Sequence, residues 1–289
     1  MRFVTYRHPE GSRSAVVVPF ADGDRVLELA GSLESILADE ARLAAAQDSI
    51  AAAIPTELPL LSSVELLPPV RPGKIVCLGY NYRGHVADGA TEAEPDPEFP
   101  DIFVKTPNVL VGPDDAVVIP QVPADVDYEG EIALVIGRRA KDVPIETALE
   151  HVAGYTLFND VTARDWQRRT SQWALGKSFD TFGPLGPWIV TADEVPDPHD
   201  LLVEVVRDGV VTVSQSTSTM IFSMAFVVHH LSTVMTLEPG DIISTGTPQK
   251  LPAAQESHRP LAPGDTVTVR VAGLGELTTT FTRPSGGPS

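Results

Sequence analysis

Asp127, Glu129 and Glu131 occupy every second position of the stretch DYEGEIALVIG, residues 127–137. In a β-strand side chains alternate between faces, so this spacing predicts three carboxylates on one face, roughly 6–7 Å apart in sequence steps of two. The apolar run that follows, IALVIG, reads as a strand covered on both sides. Carboxylates entering such a place repel one another and resist ionisation unless something cancels their charge. A divalent cation is the simplest canceller. A charged strand end meeting solvent is the alternative that this segment alone leaves open.

The elements around the stretch are mostly strands. RFVTYR, AVVVPF and RVLELA read as short strands, with ADGD as a turn between two of them. Ser32 is placed to cap a helix through LESILADEARLAAAQDSIAAA. Residues 1–70 read as a small α/β domain, residues 71–283 as the main domain and 284–289 as a tail. The segment from Pro55 to Pro72 is a proline-rich connector. KIVCLGY, IFVKTP, AVVIP, WIVTADEV, LLVEVVRDGVVTVS and TVTVRVAGLGELTTTFT continue as strands, the RDGV step as a hairpin. GATEAEPDPEFPD reads as an acidic, proline-rich loop. One late helix, TMIFSMAFVVHHLSTVMTL, carries an apolar stripe at helical spacing. Its neighbouring His229 and His230 point about 100° apart and do not share an ion. The fold class expected is α+β, mainly β.

Composition narrows the function classes. The 289 residues hold 39 Asp and Glu against 21 Lys and Arg, a formal net charge of −18. That excess opposes binding to phosphate backbones. No apolar run reaches the roughly 20 residues of a membrane span. The single cysteine, Cys77, lies in an apolar run, reads as a small buried hydrophobe, and forms no intrachain disulfide. A cytoplasmic protein is expected. GKS at 176–178 fails as a phosphate loop because position 171 is serine, and HExxH, CxxC and GxSxG are absent from the sequence.

Polar, glycine-rich segments end several of the apolar runs: GYNYRGH, FVKTPNVLVGP, FNDVTARDWQ, GKSFDTFGPLGPW and LEPGDIISTGTP. Together with DYEGEIALVIG, and in that order along residues 70–283, they resemble the fumarylacetoacetate hydrolase family. The resemblance implies a mixed β-sheet roll, commonly a homodimer, with the small N-terminal unit many bacterial members carry. It implies a divalent ion, Mg²⁺ or else Mn²⁺ or Ca²⁺, on Glu129, Glu131 and Asp160, an all-oxygen set suited to hard cations. Asp127 stays outside that set. By the same resemblance Lys177 supports enolate charge, Arg164 and Gln167 lie near substrate, and Thr247 hydrogen-bonds it.

His85 matches the family's water-activating histidine. Its partner position, usually glutamate, is Asp88, one methylene shorter; Glu92 or Glu94 are alternatives. The glycine-rich GVG that often follows TGTP is replaced by QKLPAAQ. The activity implied is metal-assisted C–C hydrolysis of an acylpyruvate, a small 2-oxo acid, through a stabilised enolate. Isomerisation or decarboxylation of dicarboxylates from aromatic catabolism uses the same enolate. A member that binds metal and ligand without turnover is a third reading.

Overall fold

The computed structural model describes residues 1–84, 95–122 and 124–284. Its main sheet runs edge to edge through Gly23–Leu29, Gly11–Phe20, Arg2–His8, Gly183–Thr191, Val152–Asn159, Gly130–Ile136, Ile242–Ser244, Ile75–Gly79 and Asp101–Lys105. Nearly all its pairs are antiparallel; Ile242–Ser244 and Ile75–Gly79 run parallel. A five-stranded sheet is built in the order Val210–Ser216, Leu202–Arg207, Thr266–Val271, Gly275–Thr282 and Ala116–Val118. The chain is thus mixed α and β with strands dominant, as its pattern predicts.

Alternation along the central strands divides the interior in two. Ile75, Cys77, Ala133 and Val135 face one apolar core. Val76, Leu78, Ile132, Leu134 and Ile136 face the other. Every residue of Gly130–Ile136 is buried, which is what the continuous apolar run requires. Gly130 sits where the two sheets touch: a Cβ there would meet Val205 Cγ2 at 2.5 Å. Residues 1–70 contribute strands to the same main sheet, through Arg2 paired with Val190 and Phe3 with Ile189.

Three elements differ from the sequence expectation. The helix expected over residues 33–53 is two, Leu33–Leu37 and Glu40–Ala51, because Asp39 turns extended and accepts hydrogen bonds from Ala41 N and Arg42 N as a fresh N-cap. The late helix is shorter, Met224–Val234, and starts where Ser223 caps Phe226 N. The strand through DYEGE is interrupted at Tyr128–Glu129. Val126–Asp127 pairs with Thr162–Ala163 in a separate ladder, and Gly130 opens the ladder with Asn159. His229 and His230 serve structure: one ring nitrogen meets Val143 O at 2.7 Å, and the other ring stacks on Phe226.

Candidate metal centre

The strand Gly130–Ile136 carries Glu131 into the interior opposite Phe158. Asp160 follows directly on Val152–Asn159, the neighbouring strand, and its N–H donates to Glu129 O at 2.8 Å. That turn brings the third carboxylate onto the first two. Ligand oxygens of Glu129, Glu131 and Asp160 all lie within 4.8 Å of one another. Convergence therefore comes from the turn that follows Val152–Asn159 and from the irregular step at Tyr128–Glu129, since Glu129 lies outside the strand that carries Glu131. Glu131 and Asp160 are buried, while Glu129 keeps 12% of its side-chain surface.

Glu131 Oε2 is fixed by Ser244 Oγ at 2.5 Å and by the Gly246 N–H at 2.9 Å. Gly246 reaches that place with φ +90, and a Cβ would press on Leu78 O at 3.1 Å, so glycine is required. The other oxygen, Oε1, is buried and has no hydrogen-bond partner among the described residues. Burial, then Asp160, then Glu129 push the Glu131 carboxyl well above the usual carboxylate range. An orphaned acceptor aimed into a cluster of carboxylates fits a hard cation, and the donor set is oxygen throughout. These residues fit the ion that the family resemblance implies.

Cations enclose the trio. Lys177, on the short helix Ala174–Lys177, donates to Glu129 Oε2 and to Asp160 Oδ2, each at 2.6 Å. Burial lowers its pKa, but the pull of Asp160 and Glu129 outweighs this and the ammonium is held charged. Arg164 opens the helix Arg164–Gln167 and reaches Glu129 Oε1 at 2.6 Å and Asp127 Oδ2 at 3.0 Å. Gln167 accepts from Arg164 at 3.1 Å, which aims the guanidinium. Burial of Glu129 acts upward, yet Arg164 and Lys177 drive its carboxyl well below the ordinary range.

Asp127 lies outside the trio, as expected from sequence. It is paired with Arg164 and with Lys250, whose ammonium donates to Asp127 Oδ1 at 2.5 Å. These cations overcome burial and hold Asp127 down to about 2. Thr247 donates to Gly130 O at 3.0 Å, fastening the loop after Ile242–Ser244 to the strand that carries Glu131. His85 and Asp88, with Glu92 and Glu94, lie outside the described residues.

Lys105 is a site residue that sequence reasoning left without a role. It ends the edge strand Asp101–Lys105, is fully buried, pairs with Asp160 Oδ1 and donates to Val161 O at 3.0 Å. Burial lowers its pKa, Asp160 opposes, and the neighbouring Lys177 adds to the lowering. The signal was present in the segment FVKTP, but a lysine after apolar residues ordinarily reads as solvated.

Residues 74–282 match the fumarylacetoacetate (FAA) hydrolase C-terminal family, and the chain belongs to that family. A mitochondrial oxaloacetate tautomerase of Bos taurus is 43% identical over 230 residues, covering 78% of this chain and 72% of the relative. The crystal structure of 2-hydroxyhepta-2,4-diene-1,7-dioate isomerase from Mycobacterium marinum superposes with TM-score 0.79 at 34% identity, over 99% of both chains. Maleylpyruvate hydrolase from Sphingobium sp. SYK-6, solved with manganese(II) and pyruvate, superposes with TM-score 0.78 at 29% identity. That match covers 98% of this chain and 99% of the other. The chain is accordingly an enzyme of a family that includes hydrolases, an isomerase and a tautomerase.

Proposed function

We propose that this enzyme is divalent-metal-dependent, acts on a 2-oxo acid by stabilising its enolate, and hydrolyses a C–C bond in an acylpyruvate. The observation that carries the reading is the trio of carboxylate oxygens within 4.8 Å, two of its members, Glu129 and Asp160, bridged by the Lys177 ammonium. Glu129, Glu131 and Asp160 would hold the ion, Mg²⁺ or equally Mn²⁺ or Ca²⁺ by donor chemistry. Such an ion supplies Lewis acidity toward the carboxylate and keto oxygen of the substrate. Lys177 contributes fixed positive charge in a water-poor site, where it stabilises a developing enolate oxygen. Arg164, oriented by Gln167, offers a planar fork of charge-assisted donors to the substrate. Lys105 acts through Asp160 and positions it. In this reading His85, with Asp88, activates the water.

Tautomerisation or isomerisation without bond cleavage is the second reading. The described residues already hold the charge-stabilising groups that enolisation needs, and the bovine relative is an oxaloacetate tautomerase. Pyruvate release from a panel of acylpyruvates, alongside keto–enol interconversion of oxaloacetate, separates the two. Magnesium-loaded wild type should release pyruvate from an acylpyruvate, and Glu131→Gln should not. Interconversion without pyruvate release would replace the hydrolase by the tautomerase. Neither, with magnesium bound, would contradict both.

A further inference from the structure

After Thr247 and Pro248 the chain reads Gln249, Lys250, Leu251 where the family resemblance leads one to expect glycines. The segment is pinned: Leu251 N–H donates to Thr212 O at 2.8 Å. The Lys250 ammonium sits 4.2 Å from the centre of the Tyr128 ring, so an aromatic face holds its stem and head in place. Its one hydrogen bond among the described residues goes to Asp127 Oδ1, at 2.5 Å, which leaves two of its three N–H donors. Asp127 Oδ2 takes Nε and Nη2 of Arg164, at 3.2 and 3.0 Å. Two cations therefore flank one buried carboxylate. Lys250 and Arg164 keep 15% and 19% of their side-chain surface, against 5% for Asp127.

Asp127, Glu129, Glu131 and Asp160 carry four formal negative charges; Lys105, Arg164, Lys177 and Lys250 carry four positive ones. A divalent ion on the trio adds two. Counting these eight side chains and the ion, the loaded site is matched by two substrate negative charges, which a dicarboxylate brings on binding and a monocarboxylate carries only once its enolate has formed. Of the four cations, Lys250 is the one contributed by the segment that departs from the glycine-rich pattern.

We propose that Lys250 is a specificity-determining residue that, beside Arg164, receives the second carboxylate of a 2-oxo dicarboxylate. The proposal rests on the 2-oxo-acid reading of the site. In the free enzyme Asp127 keeps the two cations apart and aimed; the incoming carboxylate shares them through charge-assisted hydrogen bonds.

Two unreactive probes test it by calorimetry on the magnesium-loaded protein. Oxamate presents one carboxylate beside a carbonyl; N-oxalylglycine presents the same group plus a second carboxylate. Wild type should bind N-oxalylglycine at least tenfold more tightly than oxamate. Lys250→Met should weaken N-oxalylglycine at least tenfold more than it weakens oxamate, and Lys250→Arg should keep most of the preference. The magnesium-induced rise in melting temperature, measured on each variant, checks that the centre is assembled. Equal loss of both probes in Lys250→Met, or no preference in wild type, would overturn the role of Lys250 while leaving the 2-oxo-acid reading intact. Magnesium-independent binding, or no binding of either probe, would overturn that reading and this one together.

Discussion

Glu131 holds one oxygen in two hydrogen bonds and leaves the other buried without a partner among the described residues. A glutamine in its place can still accept from Ser244 and Gly246 while removing a carboxyl that burial, Asp160 and Glu129 already hold back from ionising. Glu131→Gln should therefore leave the melting temperature without metal unchanged or higher. Its magnesium affinity, read by calorimetry, should fall more than about 100-fold, since even groups one shell beyond a ligand are worth about 10–100-fold. Lys105 behaves oppositely. It partners a buried carboxylate from a buried position, so Lys105→Met leaves Asp160 under-compensated and should cost about 3–5 kcal/mol in urea unfolding. Spacing alone put Asp127, Glu129 and Glu131 on one face; the family resemblance, carried by FNDVTARDWQ, added Asp160 and set Asp127 aside. Lys105 was not legible in sequence, because its role depends on burial at the end of a distant strand.

At the scale of elements, backbone turns place the chemistry. The break at Tyr128–Glu129 lets Asp127 pair with Thr162, and Val126 with Ala163, while Glu131 enters the main sheet. Alternation alone predicted one uninterrupted face; the interruption reflects two different ladder partners, which are non-local. The split helix is a local matter. Asp39 caps Glu40–Ala51, and its signal, an Asp before Glu40, was masked by the helix-forming alanines around it. Asp39→Ala should cost about 1 kcal/mol, visible as faster amide exchange across residues 40–51, with magnesium affinity unchanged.

Across the whole molecule, the main sheet joins chain segments that are far apart in sequence. Arg2–His8 lies beside Gly183–Thr191, a pairing no local pattern announces. The two-core arrangement was legible, because strands apolar at every position must be covered twice. Among the described residues no helix is long and apolar enough to cross a membrane. Away from the site, Asp265 ties the turn before Thr266–Val271 to Arg259 and Arg207. The Arg259 hydrogen bond, against burial and with help from the Ala262 N–H and Arg207, lowers its pKa from 3.8 to about 2. A folded pKa below the unfolded one means that this contribution is complete above about pH 4 and lost as pH falls through about 2. Asp265→Asn should lower the melting temperature by a few degrees near neutral pH and flatten its fall across that acid window. Enolate formation at the carboxylate trio is common to the proposed reactions, and proton exchange reads that step whatever the later chemistry. Pyruvate in D₂O with magnesium-loaded protein should lose its methyl signal by NMR, with exchange abolished by chelation of the ion and by Glu131→Gln. Undiminished exchange in Glu131→Gln, or none in the loaded wild type, would contradict enolate formation at the trio.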